Sequence, residues 1–183
     1  MKFDVTGHSL PSGGFEVPLE MLHACHSRIH SQCSTLLRLV PHLARHGADD
    51  DARKAAAGLM RYFDTAARDH HADEEIDLFP ALIESMAGSD AVCLRDLTSS
   101  LAAEHRLLEA HWLHVRALLK GVVAGESVSI QSADVQPLVE LCKRHIEREE
   151  EELLPMAARL LSDDQLEHVG RAMRLRRGVP DLE

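Results

Sequence analysis

From Pro18 onward, apolar residues recur at intervals of three and four, the period of a helix buried along one face. This patterning predicts helices over 18–46, 50–87, 90–120 and 132–160, with a shorter one over 163–177. The breaks carry ordinary helix punctuation, in "HGADDD", "AGSDA", "GVVAGESVSIQSAD" and "LSDDQ". Strand-like alternation competes nowhere. Residues 1–16, rich in Gly, Ser and Pro, read as a loosely packed lead-in. The most economical architecture is all-α: an up-down-up-down four-helix bundle over 17–162, then a short extra C-terminal helix and tail over 163–183.

The pattern breaks its own rule twice, in nearly the same words. "HHADEEIDLFP" at 70–80 and "HIEREEEELLP" at 145–155 both place ionisable residues where an apolar stripe should run. At 100° per residue, His70 has Leu59, Phe63, Ala66, Glu74 and Ala81 within about 40° of it. His71 and Glu75 lie about 100° or more away, towards a flank. His145 and Glu149 share a stripe with Leu138, Leu141 and Met156. His26 falls with Leu22, Cys33, Leu37 and Val40, and His105 with Leu94, Leu101, Trp112 and Leu119. Each of the four long helices thus turns one histidine inward, and two add a carboxylate one turn later.

Depth agrees with direction. His26 lies about 20 residues before the first turn and His70 about 20 after it; the later pairs, His70/His105 and His105/His145, match to within about three residues. In antiparallel neighbours, equal distance from a shared turn means equal height. The four histidines meet at one level, and two unpaired carboxylates buried there would cost several kcal/mol each. A dinuclear metal centre supplies the missing positive charge, with Glu74 and Glu149 as bridges.

Composition narrows the rest. A formal charge of −10 without a long basic run argues against nucleic acid, and no apolar run is long enough to span a membrane. The N-terminus lacks a hydrophobic signal core, so a cytoplasmic location is expected. Cys25, Cys33, Cys93 and Cys142 show no CxxC spacing and read as reduced. The cluster "RAMRLRRG" reads as cations favoured in a last helical turn. Tyr62, the one tyrosine, lies off the His70 stripe and reads as packing.

With "CHSRIH", "HHADEEIDLFP", "EHRLL" and "HIEREEEELLP" in order, the chain resembles the hemerythrin-like, HHE cation-binding proteins over about residues 18–160. The resemblance implies a left-handed four-helix bundle around a non-haem di-iron centre, with His26, His70, Glu74, His105, His145 and Glu149 as ligands. Oxygen-carrying members place a second histidine one turn after the third-helix histidine; here that position is Glu109. Four histidines with two glutamates are more similar to the bacterial iron-cluster repair proteins. Glu109, as a third carboxylate or a partner for Arg116, and His30, as an extra ligand, stand as additional candidates. Asp77 and Glu152, two turns past each motif histidine, read as solvated acids or hydrogen-bond acceptors for the ligands. The expected cofactor is two Fe ions, with Mn or Zn satisfying the same donors. The expected partner is O2, NO or peroxide, bound or sensed, together with a redox partner. The alternatives are a di-metal enzyme for peroxide disproportionation or NO reduction, and an iron donor for iron–sulfur cluster repair.

Overall fold

The structure is a computed structural model describing residues 14–86, 91–127 and 129–179. Most of the expected lead-in, the join at 87–90 and the last residues of the tail lie outside the described residues. The described residues are helices joined by short turns, with no strand among them. Helix α1 spans Pro18–His46, with Pro18 in its first turn, where a missing N–H costs nothing. Gly47 leaves it at φ +67°, a conformation that a Cβ disfavours. Asp49 caps α2 (Asp50–Asp64), accepting from the Ala52 N–H at 2.8 Å.

The expected second helix is four pieces. After α2 come α3 (Ala66–Ala72), a π-helical turn over Asp73–Leu78 and α4 (Phe79–Ser85). The long α5 (Ala91–Ala124) follows. The fourth helix repeats the device: α6 (Ser132–Arg148), a π-helical turn over Glu149–Leu153 and α7 (Leu154–Leu160). Pro80 and Pro155, which cannot donate a helix hydrogen bond, lie in the first turn of α4 and α7, just beyond the wider π-turns. Helix α8 (Asp163–Arg176) opens on a reciprocal Ser162–Gln165 cap.

Helix α1 packs on α2 and α6, α2 on α5, and α5 on α6. Helix α8 lies against α1 and the first π-turn. Phe15 and Glu16 contact α8 as well. Arg174 reaches Glu16 at 2.9 Å with its guanidinium 5.3 Å over the Phe15 ring. Gly170 permits that approach, since a Cβ there would stand 2.0 Å from the Phe15 carbonyl oxygen.

The core is in two parts. One cluster holds Leu36, Leu59, Phe63, Trp112 and Leu138, with Phe63 and Trp112 stacked at 4.7 Å. The other holds Leu22, Leu78, Leu82, Leu101, Leu153 and Met173. Between them in each helix falls a buried polar layer of His26, His70, Glu74, His105, His145 and Glu149. Where α2 meets α5, Asp64 accepts from Trp112 Nε1 at 2.9 Å and from Arg116 Nε at 2.8 Å. Arg116 therefore pairs with Asp64 rather than Glu109, because Glu109 faces solvent. Tyr62 packs edge-on against Phe63, as expected. Cys25, Cys33 and Cys142 are buried, Cys93 is exposed, and all four are free thiols. No helix among the described residues is long and apolar enough to cross a membrane.

Candidate metal centre

The six inward residues all come together, each at most 2% exposed. Their arrangement is two-sided. On one side Glu74 Oε1 lies 3.5 Å from His70 Nε2 and 4.0 Å from His26 Nε2, and Glu149 Oε2 lies 3.1 Å from His26 Nε2. On the other, Glu74 Oε2 lies 3.3 Å from His105 Nε2, while Glu149 Oε1 lies 2.9 Å from His145 Nε2 and 3.8 Å from His105 Nε2. Each carboxylate thus sends one oxygen to each pair of imidazoles. The two four-donor groups, His26/His70 and His105/His145, share Glu74 and Glu149.

The donors fit a pair of cations. Both oxygens of Glu74 and of Glu149, both ring nitrogens of His70 and Nε2 of His26 are buried without a hydrogen-bond partner. Such groups cost free energy unless something compensates them. Imidazole nitrogen and carboxylate oxygen suit Fe, Mn and Zn.

Around the inner six stands a shell of carboxylates. His26 Nδ1 lies 2.5 Å from Glu150 Oε1, His105 Nδ1 2.7 Å from Glu75 Oε1, and His145 Nδ1 2.9 Å from Glu104 Oε2. A proton on each Nδ1 donated outward leaves the Nε2 lone pair facing the layer. Arginines hold two of these acceptors in turn: Arg106 donates to Glu75 at 2.6 and 2.9 Å, and Arg148 to Glu104 at 2.5 Å. His23, itself exposed, pairs with Glu150.

The electrostatics follow the geometry. Burial, then the charge of Glu149, raises Glu74 to about 7. Burial would also raise Glu149, but the imidazoles of His105, His145 and His26 gathered round its carboxylate hold it well below the usual range. Burial opposes the charged form of His105, yet Glu149 and Glu74 carry it up to about 10. Burial drives His70, which lacks an outer acceptor, well below its ordinary value.

Sequence periodicity missed three features. His71, expected on a flank, stacks on His105 with centroids 3.9 Å apart and planes 12° apart. A flank position in a bundle meets the neighbouring helix, and α5 brings His105 there. Second, Asp73 is fully buried and paired with both Arg176 and Arg177, the latter at 2.6 Å. Arg176 also reaches Asp77 at 2.6 Å. The C-terminal cations therefore clamp the first π-turn beside Glu74 instead of serving only their own helix end. Asp77 is accordingly no ligand acceptor, and Glu152 is exposed near Arg148. Third, the second glutamate of each Glu-Glu pair, Glu75 and Glu150, orients a histidine. Its signal was the doubling itself.

His30 and Glu109 stay outside the cluster, both exposed. One helical turn carries His30 past the polar layer, at the solvent edge of α1. Glu109 is at the rim of a cavity of about 510 Å3 lined by Phe63, Leu108, Trp112, Cys142 and Ile146. His71, His105 and His145 line it too, whereas His26 and His70 do not.

A family profile described as the hemerythrin HHE cation binding domain matches residues 17–157. An uncharacterized protein of Haemophilus influenzae is 31% identical over 166 residues, covering 90% of this chain and 92% of that relative.

Proposed function

The chain belongs to the hemerythrin HHE cation-binding family, and we propose that it is a non-haem di-iron protein that binds or senses O2, NO or peroxide. One observation carries the reading: the oxygens of Glu74 and Glu149 are divided between the His26/His70 and His105/His145 sides, as bridging two ions requires. His26 and His70 would hold one ion, His105 and His145 the other. Bound there, a redox-active metal pair supplies electrons and Lewis acidity.

The chain's residues do the rest. Glu75, Glu104 and Glu150 keep three ligand imidazoles turned inward. The two apolar clusters above and below the layer keep bulk water from it. The cavity gives a small molecule a route to the His105/His145 side. The order in which α1, α2–α4, α5 and α6–α7 visit the two clusters alternates, which supports an up-down-up-down four-helix frame. The reading also places the protein in the cytoplasm, served by a redox partner. It has no nucleic-acid or membrane partner, in keeping with its charge of −10.

The same cavity favours one second reading, in which the centre turns over peroxide or NO instead of only binding it. Anaerobic loading with Fe(II), metal analysis and then exposure to air test the proposal. Two irons per chain, with near-ultraviolet charge-transfer bands of a ferric pair, are expected. Zinc or manganese retained in preference to iron would overturn the gas chemistry and leave a cation-binding bundle. Steady consumption of peroxide or NO by the loaded protein would select the enzyme.

A further inference from the structure

The three carboxylates that stand outside the inner six are not held alike. Arg106 holds Glu75 at 2.6 Å and Arg148 holds Glu104 at 2.5 Å. Glu150 is held by no guanidinium: among the described residues its ion-pair partners are His26 and the exposed His23. The difference matters to a cation. A guanidinium is a fixed positive charge with no lone pair to offer a metal, whereas an imidazole is a metal ligand.

The Glu150 corner is also graded in depth. Side-chain exposure falls from 50% at His23 through 31% at Glu150 to 2% at His26 and none at Glu149. Each residue touches the next. His23 Nδ1 meets Glu150 Oε2, Glu150 Oε1 lies 2.5 Å from His26 Nδ1, and His26 Nε2 lies 3.1 Å from Glu149 Oε2. One donor atom from each of His23, Glu150 and His26 lies within 4.8 Å of the other two. Metal donors thus run unbroken from solvent to the buried layer. We propose that His23 and Glu150 form a loading site for a divalent cation, where Fe(II) arriving from solvent exchanges water for protein donors before moving inward to His26 and Glu149.

The cavity, although it reaches His105 and His145, is a poorer entrance for an ion. Its wall is apolar around Phe63, Leu108 and Trp112, and Asp64 and Glu75 there are already answered by Arg116 and Arg106. A hydrated ion gives up its water cheaply only to donors that replace it. None of His23, His26 and Glu150 lines that cavity. The centre therefore has two doors of different chemistry: an apolar one for a neutral small molecule, and a donor-lined one for cations.

This inference rests on the di-metal reading, and rates separate the two. The probe is Co(II), whose ligand-field absorption reports binding. It is mixed anaerobically with the metal-free full chain and afterwards drawn off by excess chelator. His23→Ala removes the outer donor; His23→Arg closes the corner as at Glu75 and Glu104 while still holding Glu150. Both variants are expected to load about tenfold more slowly and to release metal more slowly by the same factor, leaving equilibrium affinity unchanged. A loading site speeds both directions without shifting the balance between them. A residue that only held Glu150 in place would behave otherwise: His23→Ala would weaken affinity through faster release, and His23→Arg would match wild type. Wild-type loading by His23→Arg overturns the inference and leaves the metal pair intact. If wild type itself fails to take up two Co(II) ions per chain, the di-metal reading falls and the inference with it.

Discussion

Two adjacent glutamates, written twice, do opposite jobs at this centre. Glu74 and Glu149 lie wholly buried between the histidines, while Glu75 and Glu150 sit at the edge and accept from imidazole Nδ1 atoms. Ligand basicity and ring orientation depend on those outer acceptors. Replacing Glu75 or Glu104 with Ala is therefore expected to weaken metal binding about 10–100-fold while leaving helix content unchanged, as measured by metal–chelator competition and circular dichroism. Glu75 is held below its ordinary range, against burial, by Arg106 and then His105. It is thus a carboxylate at neutral pH, able to accept. At this scale the inner six were legible, because a buried ionisable residue interrupts a periodic apolar stripe. The outer acceptors were not. A glutamate 100° off the stripe reads as solvated until the helix beside it is known.

Both π-turns contain a Glu-Glu pair, so Glu74 and Glu149 sit where the helix widens. Pro80 and Pro155 follow directly, so the distortion lies just before each proline, over Glu74 and Glu149 themselves. The first turn is also held from outside. Asp73, with no exposed surface, answers two guanidiniums from the end of α8. Asp73→Ala strands Arg177 and leaves Arg176 with Asp77 alone, and a loss of about 3 kcal/mol is expected, at the low end of the range for a broken buried pair because the arginines remain partly in water. Denaturant melts would measure it. Because Asp73 neighbours Glu74, the variant is also expected to bind metal more weakly. A wild-type midpoint would show that α8 is only a tail.

Across the whole molecule, a polar layer divides one core into two apolar halves, and every long helix crosses it. A ligand bound in that layer ties the halves together. Metal at a hundredfold excess over its dissociation constant is expected to add about 2.7 kcal/mol to stability. The gain should appear as a raised melting midpoint and as slower amide exchange in all four long helices. Glu74→Gln with Glu149→Gln should abolish that gain.

What the sequence by itself determined is local and periodic. The helix spans, the residues facing inward and their common height all follow from the 3.6-residue repeat and from counting along the chain to each turn. Tertiary structure decided the contacts made across helices. His71 meets His105 only because α3 and α5 lie side by side, and Asp73 finds Arg176 and Arg177 about a hundred residues away only because α8 folds back on the π-turn. Periodicity sets the direction in which a side chain points, whereas the helix that stands opposite is set by how the pieces pack.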